Sequence, residues 1–289
     1  MFNPNSTMID AFVTYTQDAF ADAFPAAPED YRVCLEVSAR SALEILLNCD
    51  CPYHDVQHTM LVVDVGQAML RGRQLSTGDI DAKDWLHAVV AMLFHDVGYV
   101  RDLLADDDED SCVIDREGNR VKPPPGCTDA YMTPYHVSRG CLYVEERFAS
   151  TPGFDVEVLK RYIEVTRFPV PREQSAQTGC TVSSLVRAAD LLGQMADPLY
   201  MKKLSRLFAE FLETGEVQRQ GFYNTGEMRK RFPDFFEQQV RPHVGEGLKC
   251  LGKTQDGQQW IANLYHHLHV DDTPDVDMTP ETSHIARSA

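Results

Sequence analysis

Apolar residues in this chain recur three and four positions apart in almost every segment, and strict alternation is nearly absent. That period puts the apolar side chains on one stripe of a helix rather than one face of a strand. It commits the chain to an all-α fold. The first stretch, 9–24, reads as an amphipathic helix ended by Pro25 and Pro28. Pro28, Glu29 and Asp30 open a second helix reaching about residue 47, with proline and acids in its first turn. A third helix carries His54 to about Met69 and is expected to stop near Gly72; Asp79 or Asp81 caps a fourth that runs to His95 and Asp96. Later helices are expected at about 134–148, 155–165, 182–192, 198–213, 225–231, 235–251 and 258–269.

The stretch 101–134 differs in kind. It holds five consecutive acids, Asp106 to Asp110, then Pro123, Pro124, Pro125 and Gly126, with no sustained period. It reads as a long acidic and proline-rich loop, either a lid over a site or a solvated excursion. Segment 271–289 is polar and proline-punctuated, the composition of a disordered tail. The organisation expected is therefore a single domain: helices in 1–50 packing on a core of 51–195 that carries the 101–134 insert, further helices of the same domain in 196–270, and the tail.

With 289 residues, 43% of them hydrophobic, the chain can bury one large core. No apolar run approaches the roughly 20 residues of a membrane helix, and 1–10 has neither the basic nor the apolar region of a signal peptide. A cytoplasmic location is the expectation. A net charge of −17 excludes polymeric nucleic acid and anionic membrane as partners, since both need basic surfaces. It leaves small phosphorylated molecules open, because a bound cation can dominate its own site. The eight cysteines form no CxxC pair and read as reduced thiols.

Three features carry chemistry. The apolar run 88–94 ends in adjacent His95 and Asp96, which delivers an imidazole and a carboxylate together at the end of a buried helix. His54 and His58 stand at i and i+4, hence on one helical face. Asp190 is a lone acid among Ala188, Ala189, Leu191 and Leu192, and a buried carboxylate needs a cation. That cation is either a metal or Arg187 at i−3. His87 reads as a core residue, the cluster His266, His267 and His269 as part of a terminal amphipathic helix, and His243 carries no signal.

The order His58, then His95 and Asp96, then a distant Asp190 resembles the HD superfamily of metal-dependent phosphohydrolases, named for its adjacent His and Asp. The resemblance covers about 50–195. It implies a single-domain helical HD-type fold and a metal site built from His58, His95, Asp96 and Asp190. Tyr53, His54 and His58 resemble more closely the cyclic-nucleotide phosphodiesterase branch, in which the first histidine protonates the leaving oxygen. On that analogy His54 and Asp96 are the catalytic residues. His136 stands where several HD branches place a further histidine that meets a second metal or a phosphate, Arg139 follows it at i+3, and Arg167 is a candidate phosphate contact. Gln238 and Gln239 are not spaced like the base-holding glutamine of that branch, so nucleobase recognition is not carried over.

The function implied is hydrolysis of a phosphoester, a phosphodiester or a nucleotide, by a metal-activated water. The cofactors would be one or two divalent ions: iron, manganese, zinc or magnesium. The partner would be a small phosphorylated substrate, nucleotides included. Two other classes stay open: a non-catalytic HD-type nucleotide-binding or interaction module, and an HD-type di-iron oxygenase. The second needs further histidines before the last aspartate, and none lies between His136 and Asp190.

Overall fold

A computed structural model describes residues 2–172 and 181–269. The expected tail, 271–289, lies outside them. Helix α1 (Pro4–Ala23) starts where Asn3 accepts hydrogen bonds from the backbone N–H groups of Asn5 and Ser6. Helix α2 (Glu29–Leu46) follows Pro28, with Glu29 and Asp30 in its first turn as expected. Helix α3 (Val56–Thr77) is capped by Asp55, whose carboxylate accepts from the N–H groups of Gln57 and His58. Helix α4 (Ala82–Phe94), capped by Asp81, is buried at every position from Trp85 onward and forms the central pillar.

The remaining helices follow in chain order. They are α5 (His136–Phe148), α6 (Val156–Glu164), α7 (Val182–Met195), α8 (Tyr200–Glu213), α9 (Glu216–Gln220), α10 (Thr225–Phe235), α11 (Arg241–Leu251) and α12 (Gln255–His269). A π-helical turn, Phe236–Val240, joins α10 to α11 without a break. One hydrophobic core runs from Ile9 to Leu264. The all-α expectation holds, and no helix among the described residues is long and apolar enough to cross a membrane.

Three expectations need correction. His54 is not in α3: it precedes the cap residue Asp55, so it and His58 do not share a helical face, and it reaches the site from the turn before the helix. Helix α3 does not stop near Gly72 but continues to Thr77 and ends at Gly78, whose φ of 67° is the left-handed conformation of a helix terminus. Gly72 is there for contact: a Cβ on it would meet the Cys250 carbonyl oxygen at 2.0 Å, so its missing side chain lets α11 lie directly on α3. The insert, in turn, is not a free excursion. It folds into a short antiparallel hairpin, β1 (Cys112–Val113) with β2 (Arg120–Val121), and a 3-10 turn, Asp129–Met132.

The acids of the insert find partners instead of repelling one another. Asp107 accepts from the N–H groups of Leu103, Leu104 and Val113 and pairs with Arg139; Asp108 pairs with Arg120, and Asp110 with Lys122. An open groove of about 790 Å³ lies between the insert and the end of α2, and none of the candidate site residues lines it.

Candidate metal centre

Each expected ligand comes to the site for a local reason. The cap at Asp55 starts α3 so that His58 falls in its first turn, pointing inward and 3% exposed. Helix α4 ends at Phe94, and His95 and Asp96 follow it into a 3-10 turn, Val97–Tyr99, both buried. Asp190 lies mid-way along α7, on the side facing α3 and α4.

The donors converge. His95 Nε2 stands 3.1 Å from an oxygen of Asp96 and 3.5 Å from one of Asp190, and His58 Nε2 stands 3.5 Å from each of the same two oxygens. Atoms held about 2.0–2.2 Å from a common ion, at the angles of tetrahedral or octahedral coordination, lie about 3.0–3.5 Å apart. The observed spacing is that of a ligand set. His58 Nε2, His95 Nε2 and the Asp96 oxygen that faces them are buried and have no hydrogen-bond partner in the protein. Buried polar atoms are rarely left so, and three aimed at one point call for a shared cation. Of the two cations considered for Asp190, Arg187 sends its Nε to the Val165 carbonyl, while the carboxylate faces the two imidazoles.

The electrostatics agree. Burial acts to raise Asp96, and the facing imidazoles of His95, His54 and His58 overcome it and hold the carboxylate well below its usual range. Burial likewise acts against Asp190, which His58 and His95 bring down to about 2. Burial would depress His95, but Asp96 and Asp190 drive it well above the ordinary imidazole value. Without an ion, then, the buried Asp96 and the partly buried Asp190 rely on protonated imidazole for balance. A divalent cation can take the place of those protons. His95 Nδ1–H donates to the Met92 carbonyl at 2.7 Å, which leaves Nε2 with its lone pair towards the cluster.

His54 and His136 flank the ligands. His54, His58 and Asp96 form a second overlapping group with metal-ligand spacing. His136 Nε2 lies 3.8 Å from the other Asp96 oxygen, its Nδ1–H donating to the Thr133 carbonyl at 2.7 Å. Burial pushes His136 down to about 4, so the ring is neutral and can act as a ligand or acceptor. His54 behaves oppositely: burial would lower it, yet Glu210, with Asp96 and Asp190 behind, raises it to about 9.

Two residues around the centre escaped the sequence reading. Glu210 of α8 is 2% exposed and grips the approach to α3: one oxygen accepts from the N–H groups of Tyr53 at 2.6 Å and His54 at 3.1 Å, the other from His54 Nδ1 at 2.6 Å. Its signal was present, since Tyr200, Leu204, Leu207 and Glu210 make one buried face of α8. Tyr99 is stacked between two imidazoles, 5.0 Å from His54 and 4.2 Å from His136 by ring centroids.

Arg139 and Arg167 do not join the site. Arg139 is fully buried, and its guanidinium donates to the carbonyls of Gly98, Val100 and Val113 and to Asp107; it anchors the insert rather than a phosphate. Arg167 pairs with Glu164 and donates to Ser138, and it does not line the cavity although Thr166 and Phe168 on either side do. Their charge suggested phosphate, but each is engaged by nearer oxygens. Gln238 and Gln239 are exposed. His87 is a core residue as expected, its Nδ1–H donating to the Lys83 carbonyl and its Nε2 accepting from the Asp155 N–H.

A cavity of about 260 Å³ opens over the cluster, with His54, Asp96, Tyr99, His136, Asp190 and Glu210 at its floor and side chains of α7, α8 and α10 as its walls. Comparison with curated proteins and with solved structures gave no match. The profile of one family spans nearly the whole chain, from residue 2 to residue 273, and by that match the chain belongs to the Npun_R2479-like family.

Proposed function

We propose that this chain is a metal-dependent phosphoric ester hydrolase with an HD-type centre. The observation that carries the reading is the set of buried donors without protein partners, on His58, His95 and Asp96, spaced with Asp190 as ligands of one ion at the floor of a cavity. Imidazole and carboxylate together suit iron, manganese or zinc. Asp96 turns its second oxygen to His136, and these two residues would hold a second divalent ion, magnesium included. A bound ion there would neutralise phosphoryl charge and acidify water.

The protein's own part is positional. His54 is fixed through Nδ1 by Glu210, so Nε2 is the nitrogen free to carry a proton to the departing oxygen. The Glu210 carboxylate at Nδ1 favours the protonated ring, the form an acid needs before transfer. Tyr99 holds the His54 and His136 rings parallel on either side of its own.

The test is elemental analysis of purified protein beside turnover of bis-p-nitrophenyl phosphate and p-nitrophenyl phosphate. Asp96→Asn should lose both metal and turnover, and His54→Gln should keep metal and lose rate, most for esters with poor leaving groups. Metal-loaded protein that hydrolyses neither ester would sink the hydrolase reading in favour of a binding module.

A further inference from the structure

The floor of the cavity suits phosphate, and its walls bear on what the phosphate is attached to. Leu191 and Met195 from α7, Leu207 and Phe211 from α8, and Phe232 and Phe235 from α10 form those walls. In each pair the residues are three or four positions apart, so each helix turns an apolar stripe inward. Some polar groups among them are already partnered. The Gln194 amide lies against the Tyr200 hydroxyl at 3.5 Å, and the Thr166 hydroxyl donates to the Ile163 carbonyl at 2.8 Å.

The described lining also offers few cations to a polyanion. Arg219 and Arg231 are the lysine or arginine residues among its described lining, and both have partners. Arg219 pairs with Glu216 at 2.6 Å; Arg231 donates to the Gln220 carbonyl at 3.1 Å and lies 5.3 Å from the centre of the Phe222 ring. Size points the same way. An apolar cavity of ~150 Å³ takes a benzene ring, whereas sites for drug-sized ligands run from ~300 to 1,000 Å³. At about 260 Å³ this one has room for a single ring or short chain beside a phosphoryl group. A sugar seated against those apolar stripes would leave hydroxyls without partners.

We infer that the organic group of the substrate is apolar and uncharged: an aryl or short alkyl ester carrying a single phosphoryl group. The phosphoryl end of this inference rests on the hydrolase reading; the apolar end rests on the walls. In the reaction, the OH of water forms the new bond to phosphorus, the ester P–O bond breaks, His54 gives its proton to the leaving oxygen, and the second proton of water is released to solvent, from which His54 is reprotonated. The products are an alcohol or phenol and the phosphate.

Calorimetric titration of manganese-loaded protein with methyl-, butyl-, hexyl- and phenylphosphonic acid tests it, with ribose 5-phosphate alongside. The P–C bond resists hydrolysis, so binding is read separately from turnover. Affinity should rise about 3- to 4-fold per methylene while the chain fills the cavity, and phenylphosphonate should bind at least tenfold more tightly than ribose 5-phosphate. A flat series, no binding at all, or tighter binding of the sugar phosphate overturns the inference. A steep series in a protein that turns over no ester would instead remove the hydrolase reading and leave the apolar pocket standing, while turnover with a flat series does the reverse.

Discussion

Glu210 accepts three hydrogen bonds from two consecutive residues, Tyr53 and His54, and one of them fixes the ring that would carry the proton. Its negative charge is also what lifts His54 against burial. Glu210→Gln keeps the shape and one acceptor while removing that charge. It should leave metal content unchanged and lower kcat/KM about 10- to 100-fold, the usual cost of losing a partner that orients a site residue; steady-state kinetics beside elemental analysis decide it. At this scale legibility depended on local contrast. Asp190 stands out because its sequence neighbours are all apolar, whereas Glu210 lies in a helix full of charges and shows only when the buried face of α8 is traced. Arg139 misled for the opposite reason: its position one turn from His136 was right, but a long side chain reaches past its helix neighbour to Asp107.

Between elements, two contacts yield measurable consequences. Gly72 lets the Cys250 carbonyl approach where a Cβ would stand. Backbone cannot yield as a side-chain end can, so Gly72→Ala should cost about 1–3 kcal/mol as an overpacking change, read as a lower urea midpoint at unchanged slope. His87 joins α4 to the start of α6 by accepting from the Asp155 N–H, which requires a neutral ring, and burial accordingly holds it below its ordinary value. A lowered histidine contributes stability that is full above about pH 6.5, its unfolded value, and falls away as the pH drops through the folded one. His87→Gln should thus be less stable at pH 7.5 yet lose less Tm than the parent between pH 7.5 and 5.5, by scanning calorimetry at both. Helix existence and type were legible from the 3.6 period. The end of α3 was not, because a glycine that stops a helix and a glycine that admits a neighbour look the same until the neighbour is known.

For the whole molecule, the centre stores unfavourable charge that an ion would relieve. Asp96 and Asp190 depend on imidazole protons in its absence, so an ion binding only the folded chain would stabilise it by mass action. At a hundredfold excess over Kd that is about 2.7 kcal/mol, and manganese or zinc should raise Tm by roughly 5 °C or more; an excess of chelator should reverse the shift, and an unchanged Tm would show that no ion binds. The single core was legible from composition and period. The ordered insert was not, because Asp107, Asp108 and Asp110 look like a repelling run until Arg139, Arg120 and Lys122 are brought to them. The bond from Glu210 to His54 spans 156 positions of the chain. During synthesis all four expected ligands leave the ribosome before it does, the carboxylate following Asp190 by roughly one to four seconds at about 5–20 residues per second. On the hydrolase reading, a nascent chain can therefore gather its ligand set before it can orient its acid, and metal capture would precede catalytic competence in the order of birth.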